Sequence, residues 1–259
     1  MEQNLKTNTM TKSKTITRIP ILFIFFLGFG LWVNAQDEFE KDRFTTSGGD
    51  LEMTMIGHGT LMFTFNDLVI HIDPVGREAD YSKLPKADLI LVTHEHGDHL
   101  DKGVIDQIRK SATEIYLNPA SAEQINGGIA MKNGDIRETN GIKIEAVPAY
   151  NVEHKRPNGE PFHPKGRGNG YILTLGGKRI YIAGDTENIA EMKSIRNIDI
   201  AFLPMNLPYT MTPEMVADAA RTFRPKILYP YHFGQTDPNK LVDLLKDEKD
   251  IEVRIRRLE

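Results

Sequence analysis

The chain has 259 residues, 40% hydrophobic and 26% charged, a balance that suits an ordinary globular protein of one large domain or two small ones. A formal net charge of −4 gives no reason to expect a nucleic acid partner, which favours a basic face. There is no cysteine, so disulfides, thiolate metal ligands, a cysteine nucleophile and a lipid-modified N-terminal cysteine are all excluded.

Taken in chain order, Lys6, Lys12, Lys14 and Arg18 precede an apolar run from Ile19 to Val33, and Val33-Asn34-Ala35 has the small-residue ending of a cleavage site. That pattern reads as a secretory signal peptide over residues 1–35, cut before Gln36, and it places the mature protein in the periplasm or outside the cell. An uncleaved membrane anchor is the alternative, although Pro20, Gly28 and Gly30 interrupt the run and leave it short of the ~20 apolar residues that span a bilayer. Residues 36–50 are polar and end in Ser47-Gly48-Gly49, so they read as a linker before a single domain over residues 51–259.

From Leu51 the sequence is rich in β signals. Leu51–Ile56, Thr60–Phe65 and Leu68–Ile72 are short β-prone runs separated by the turn residues Gly57-His58-Gly59 and Asn66-Asp67, and Asp73-Pro74 stops the third. Leu89, Ile90, Leu91 and Val92 form an unbroken apolar run, as expected of a strand buried on both faces. Directly after it, His94, His96, Asp98 and His99 place four metal-ligating side chains within six residues, at a strand end where α/β sheets bind ligands. Histidine and carboxylate together suit Zn²⁺, Mn²⁺ or Fe²⁺. Further on, Val104, Ile105 and Ile108 mark one face of a short helix, Thr113–Leu117 a strand, and Asn118-Pro119 a capped helix start. Ile142, Ile144 and Ala146 alternate with charged residues as in a half-exposed strand. Tyr171–Leu175 and Arg179–Ala183 make a hairpin that ends in Gly184-Asp185-Thr186. Ile198–Leu203, a helix from Thr212-Pro213 to Phe223, strand Ile227–Tyr231, a helix opened by Asp237-Pro238 and a last strand near Ile251–Ile255 complete the chain. Asp185 and His232 each follow a strand, and His163 lies in the loop from Asn151 to Gly170. Taken singly, each has an ordinary structural role.

Taken together, these residues resemble the metallo-β-lactamase-fold hydrolase superfamily. Its H-x-H-x-D-H signature stands here as His94-Glu95-His96-Gly97-Asp98-His99, preceded by Asp73 in I-D-P and followed by Asp185 in A-G-D-T and His232 in Y-P-Y-H. Phe162-His163-Pro164-Lys165, with Gly170-Tyr171 and then G-D-T, is similar to the subgroup that contains sugar-phosphate lactonases and the N-acyl phosphatidylethanolamine phospholipase D. The resemblance implies an α/β fold, a four-layer αββα sandwich of two mixed sheets with helices outside. It also implies two divalent metal ions. His94, His96 and His163 would hold one, Asp98, His99 and His232 the other, with Asp185 between them. Asp73 would orient ligands, and Asp98 would act in catalysis.

Many members carry the third-motif histidine directly after the strand, where this chain has Ala149-Tyr150-Asn151, so His163 is expected to replace it, with His154 as the alternative. His58, in the Gly57-His58-Gly59 turn, is read as a surface turn residue, with a substrate donor facing the site as the alternative. The activity implied is attack by a metal-bridging hydroxide on an ester, lactone or phosphodiester of a small molecule or lipid headgroup. The other reading is an exported metal-binding protein of this fold without turnover. The absence of cysteine argues against the β-lactamases that use a cysteine ligand.

Overall fold

The computed structural model describes residues 1–2 and 39–259, so the expected signal peptide lies, except for its first two residues, outside the described residues. Two seven-stranded sheets make up the domain. The first runs β1 (Glu40–Thr46), β2 (Gly49–Gly57), β3 (Thr60–Phe65), β4 (Leu68–Ile72), β5 (Ala87–Val92), β6 (Arg109–Leu117) and β7 (Ile129–Ala130), in that spatial order. The second takes β8 (Ile136–Thr139), β9 (Ile142–Ala149), β10 (Gly168–Leu175), β11 (Lys178–Ile182), β12 (Ile200–Pro204), β13 (Ile227–Tyr231) and β14 (Glu252–Val253), again in sequential order. In each sheet the first four strands pair antiparallel and the fourth begins a parallel run of four. The same plan is thus used twice, a repeat far longer than any short sequence period.

Both sheets bury one face against each other. Leu51, Met53 and Phe63 of the first meet Leu173, Ile182 and Phe202 of the second in one apolar cluster, with the Phe63 and Phe202 ring centroids 6.1 Å apart. Helices cover the outer faces. In α1 (Lys102–Ile108), Val104, Ile105 and Ile108 pack with Ile90, Val92 and Ile115, while α3 (Pro213–Phe223) and α4 (Asn239–Leu245) bury Val216, Ala220, Leu241 and Leu245 on the second sheet. The short α2 (Pro119–Ala122) begins where Asn118 caps it, with Oδ1 accepting from the Ser121 N–H at 3.2 Å. This is the four-layer αββα sandwich. The unbroken apolar run of β5 is explained by it: Leu89 and Leu91 face the inter-sheet core, and Ile90 and Val92 face the α1 side.

One expectation is corrected. Residues 40–46 are not linker but an edge strand, paired antiparallel with β2 from Glu40↔Met55 to Thr46↔Gly49. The polar composition conceals a period of two, in which Glu40, Asp42, Phe44 and Thr46 share the less exposed face. Asp42 accepts from Arg256 at 2.8 and 2.9 Å and from the Tyr229 hydroxyl, tying the strand to the other sheet. Charged residues also suit an edge, since they discourage pairing with other chains. The folded unit therefore begins by Glu40 rather than at residue 51.

Candidate metal centre

The parallel strands of both sheets deliver their C-terminal ends to one rim, and the polar residues follow directly. His94, His96, Asp98 and His99 leave β5 in a tight turn, in which the N–H groups of His99 and Leu100 both donate to the His96 carbonyl at 2.9 Å. Asp185 follows β11 through Gly184, whose φ of +65° and whose absent Cβ (it would lie 2.7 Å from the Asn169 carbonyl) demand glycine. His232 follows β13 with φ +47°, and its N–H donates to the His58 carbonyl at 3.1 Å. His163 sits buried in the loop between β9 and β10. Left-handed backbone at His58, Asp73 and His232 concentrates strain where non-glycine residues rarely accept it, as is common at functional sites.

All seven side chains named from the sequence come together. His94, His96 and His163 form one set of donors, and His94, His99 and Asp185 another. Asp98 Oδ2 lies 3.6 Å from His232 Nε2 and 3.9 Å from His99 Nε2. Asp185 divides its oxygens between the groups. Oδ2 lies 3.2 Å from His163 Nε2 and 3.9 Å from His94 Nε2, whereas Oδ1 lies 3.4 Å from His99 Nε2 and 3.5 Å from His232 Nε2.

Neighbouring residues fix which ring nitrogen faces inward. Thr93 Oγ1 donates to Asp73 Oδ2 at 2.7 Å and can then only accept from His94 Nδ1, 3.0 Å away, leaving the His94 Nε2 lone pair free. Asp73 Oδ2 also meets His99 Nδ1 at 2.8 Å, and its Oδ1 accepts from the Thr93 N–H at 2.7 Å. A carboxylate behind a histidine in this way orients the ring and raises the basicity of its outer nitrogen. Both Asp73 and His99 are fully buried. Asn151 Oδ1 plays the same part for His163 Nδ1 at 2.8 Å.

The electrostatics call for positive charge between these groups. Burial works to raise the Asp185 carboxyl, but His232, His99 and His163 hold it well below the usual range. At Asp98 burial is likewise outweighed by His232 and His58, and the carboxyl stays ionised. His94 is pushed well down by burial and by His99. Against burial, Asp185 and Asp73 lift His99 to about 9, so its Nε2 favours a cation or a proton. Meanwhile Nε2 of His94, Nε2 of His99, both ring nitrogens of His232 and Oδ1 of Asp185 are buried without a hydrogen-bond partner. Orphaned polar atoms are costly, and so many of them converging on one spot fit divalent cations with nitrogen and oxygen ligands.

Three residues escaped the sequence reading. His58 is not a free surface residue: its ring lies 3.7 Å from that of His232, its Nε2 is 3.6 Å from Asp98 Oδ2, and it forms a donor set with those two. Asn151 and Glu187 hold the loop that carries His163. Glu187 accepts from the N–H groups of Val152, Glu153 and His154. It also meets His154 Nδ1 at 2.7 Å, which draws that ring away from the cluster.

Comparison with known proteins agrees with this architecture. A beta-lactamase superfamily domain matches residues 52–232. A UPF0173 metal-dependent hydrolase of Geobacillus sp. (strain WCH70) is 33% identical, over 76% of this chain and 94% of its own. The crystal structure of a protein assigned as a metal-dependent hydrolase, from Parabacteroides distasonis ATCC 8503, superposes with a TM-score of 0.82 at 53% identity, covering 85% of this chain and 100% of that one. A metallo hydrolase from the archaeon Ignicoccus hospitalis gives a TM-score of 0.66 at 25% identity, over 80% of this chain and 95% of the other. The chain belongs to the beta-lactamase superfamily, among its UPF0173 metal-dependent hydrolases.

Proposed function

We propose that this protein is an exported hydrolase that works with two divalent cations, zinc first and manganese or iron next, and cleaves an ester, lactone or phosphodiester in a small molecule or lipid headgroup. The observation that carries the reading is the split of Asp185, one oxygen turned to His94 and His163 and the other to His99 and His232. A carboxylate placed so, with free imidazole nitrogens on each side, suits two cations sharing one bridging ligand. His94, His96 and His163 would hold one; Asp98, His99 and His232 the other. When bound, such a pair lowers the pKa of water towards ~7, polarises the substrate oxygen and stabilises the leaving group.

The residues of the chain do the rest. Asp98 is the carboxylate of the cluster that keeps appreciable exposure, 32% of its side chain, at the cavity that the cluster opens into. From there it can orient the attacking water, accept its proton and pass a proton to the leaving group. His58 packs on His232 and faces Asp98, and so keeps both in place. The acidic net charge argues for a small substrate rather than nucleic acid, and the N-terminal pattern argues for export.

The test is turnover of bis(4-nitrophenyl) phosphate, a simple lactone and an aryl ester by protein loaded with Zn²⁺ or Mn²⁺. Cation-dependent release from at least one class is expected. Inertness towards all three, with both cations bound, would contradict hydrolysis.

A further inference from the structure

The cavity beside the cluster has a volume of about 600 Å³, the size of a small-molecule site. Its walls differ in character. Phe162 and Tyr209 line one part and meet edge to face, with ring centroids 5.1 Å apart. On the same two loops, Val152 and Leu207 are also exposed. An aromatic pair such as Phe162 and Tyr209 in the wall of a polar cavity is a feature of ligand sites.

Arg156 lines the same cavity. A tight turn presents it: its N–H donates to the Glu160 carbonyl at 2.7 Å, the Gly159 N–H returns to the Arg156 carbonyl at 2.8 Å, and Lys155 bridges to Pro161. The guanidinium lies 5.1 Å from the centre of the Phe162 ring and donates to the Phe162 carbonyl at 3.3 Å. That arrangement restricts the side chain while leaving most of its N–H groups unused. Other arginines nearby are matched by acids, Arg77 by Glu78 at 2.7 Å and Arg167 by Glu95. Among the described residues no carboxylate pairs with Arg156. A guanidinium held over an aromatic ring and free of an acidic partner is suited to a carboxylate or phosphate.

We infer that the substrate carries, beside its scissile bond, an anionic group met by Arg156 and an apolar group packed on Phe162 and Tyr209. The substrate is then a small amphiphilic anion, an identity that rests on the hydrolytic reading above.

The test compares two aryl esters of equal chain length, 4-nitrophenyl hydrogen adipate and 4-nitrophenyl hexanoate, which differ in ending in a carboxylate or a methyl group. In each, water adds to the acyl carbon, the acyl–oxygen bond breaks, and the phenol leaves with a proton. With the full chain loaded with Zn²⁺, kcat/KM for the adipate ester should exceed that for the hexanoate by about 10-fold, the worth of one good charged hydrogen bond. Arg156→Met should bring that ratio close to one, mainly through KM for the adipate ester, and Arg156→Lys should fall between. A wild-type ratio near one, or a ratio that Arg156→Met leaves unchanged, would overturn the inference. If neither ester is cleaved, the hydrolytic reading fails for esters, and calorimetry with the 4-nitroanilide of adipic acid decides the inference by itself. Binding about 10-fold tighter to wild type than to Arg156→Met would support it, and equal binding would overturn it.

Discussion

Asn151 grips His163 at two points: its Oδ1 accepts from the His163 backbone N–H and from Nδ1, both at 2.8 Å. Asn151 cannot be turned around, because its Nδ2 donates to Glu187 Oε1 at 3.0 Å and to the Tyr209 carbonyl at 2.9 Å. A residue two positions past β9 thus orients the histidine twelve positions on. Removing such support behind a metal ligand typically costs about 10–100-fold in affinity. Asn151→Ala should therefore weaken one cation by that much in a titration against a chelator. His163→Ala should abolish that site, and His154→Ala should keep both. Loss of a cation in His154→Ala, with His163→Ala unaffected, would reverse the assignment.

Asp98→Asn tests catalysis separately from metal holding. The amide keeps the shape but loses the charge and the ability to accept a proton. A fall of about 10²–10⁴-fold in kcat is expected on any substrate that the wild type turns over, with circular dichroism unchanged. Turnover within a few-fold of wild type in folded protein would remove Asp98 from the mechanism.

His71, on the outer face of the first sheet, sets an acid limit on stability. It is fully buried, with Nε2 donating to the Pro85 carbonyl at 3.0 Å. Burial dominates over that hydrogen bond and lowers its pKa from 6.5 to about 4. Below pH 6.5 the unfolded chain takes up a proton that the folded protein refuses, so this contribution is complete above pH 6.5 and is lost as the pH falls towards 4. The loss amounts to about 3 kcal/mol. Urea unfolding between pH 4 and 7 should show a steeper fall for wild type than for His71→Leu. Parallel curves would contradict it.

Much of the architecture was legible because local signals and tertiary environment agree. The β5 run is apolar because both of its faces are covered, and Asn118-Pro119 and Thr212-Pro213 begin helices at the caps their chemistry suggests. The hexapeptide after β5 is legible because four ligating side chains lie within one turn. His58 was not, since a lone histidine in a glycine turn looks the same whether it faces water or, as here, packs against a histidine 174 positions away in sequence. Glu187 gave no signal either. Its role lies in backbone N–H groups more than thirty residues earlier, which no side-chain pattern records. The β1 strand was hidden by its charges, which composition reads as linker although their alternation is that of an edge strand.

Export is proposed from the N-terminal pattern alone and can be checked directly. N-terminal sequencing of protein recovered from the producing cells should begin near Gln36. An intact Met1 in the membrane fraction would instead favour the anchor.

The most direct test of the central claim is anomalous diffraction at the zinc edge from crystals grown with excess Zn²⁺, together with metal analysis of the same protein. Two peaks are expected, one among His94, His96 and His163 and one among Asp98, His99 and His232, with Asp185 between them and two ions per chain in solution. One peak, or a single ion per chain under excess, would contradict the two-cation centre.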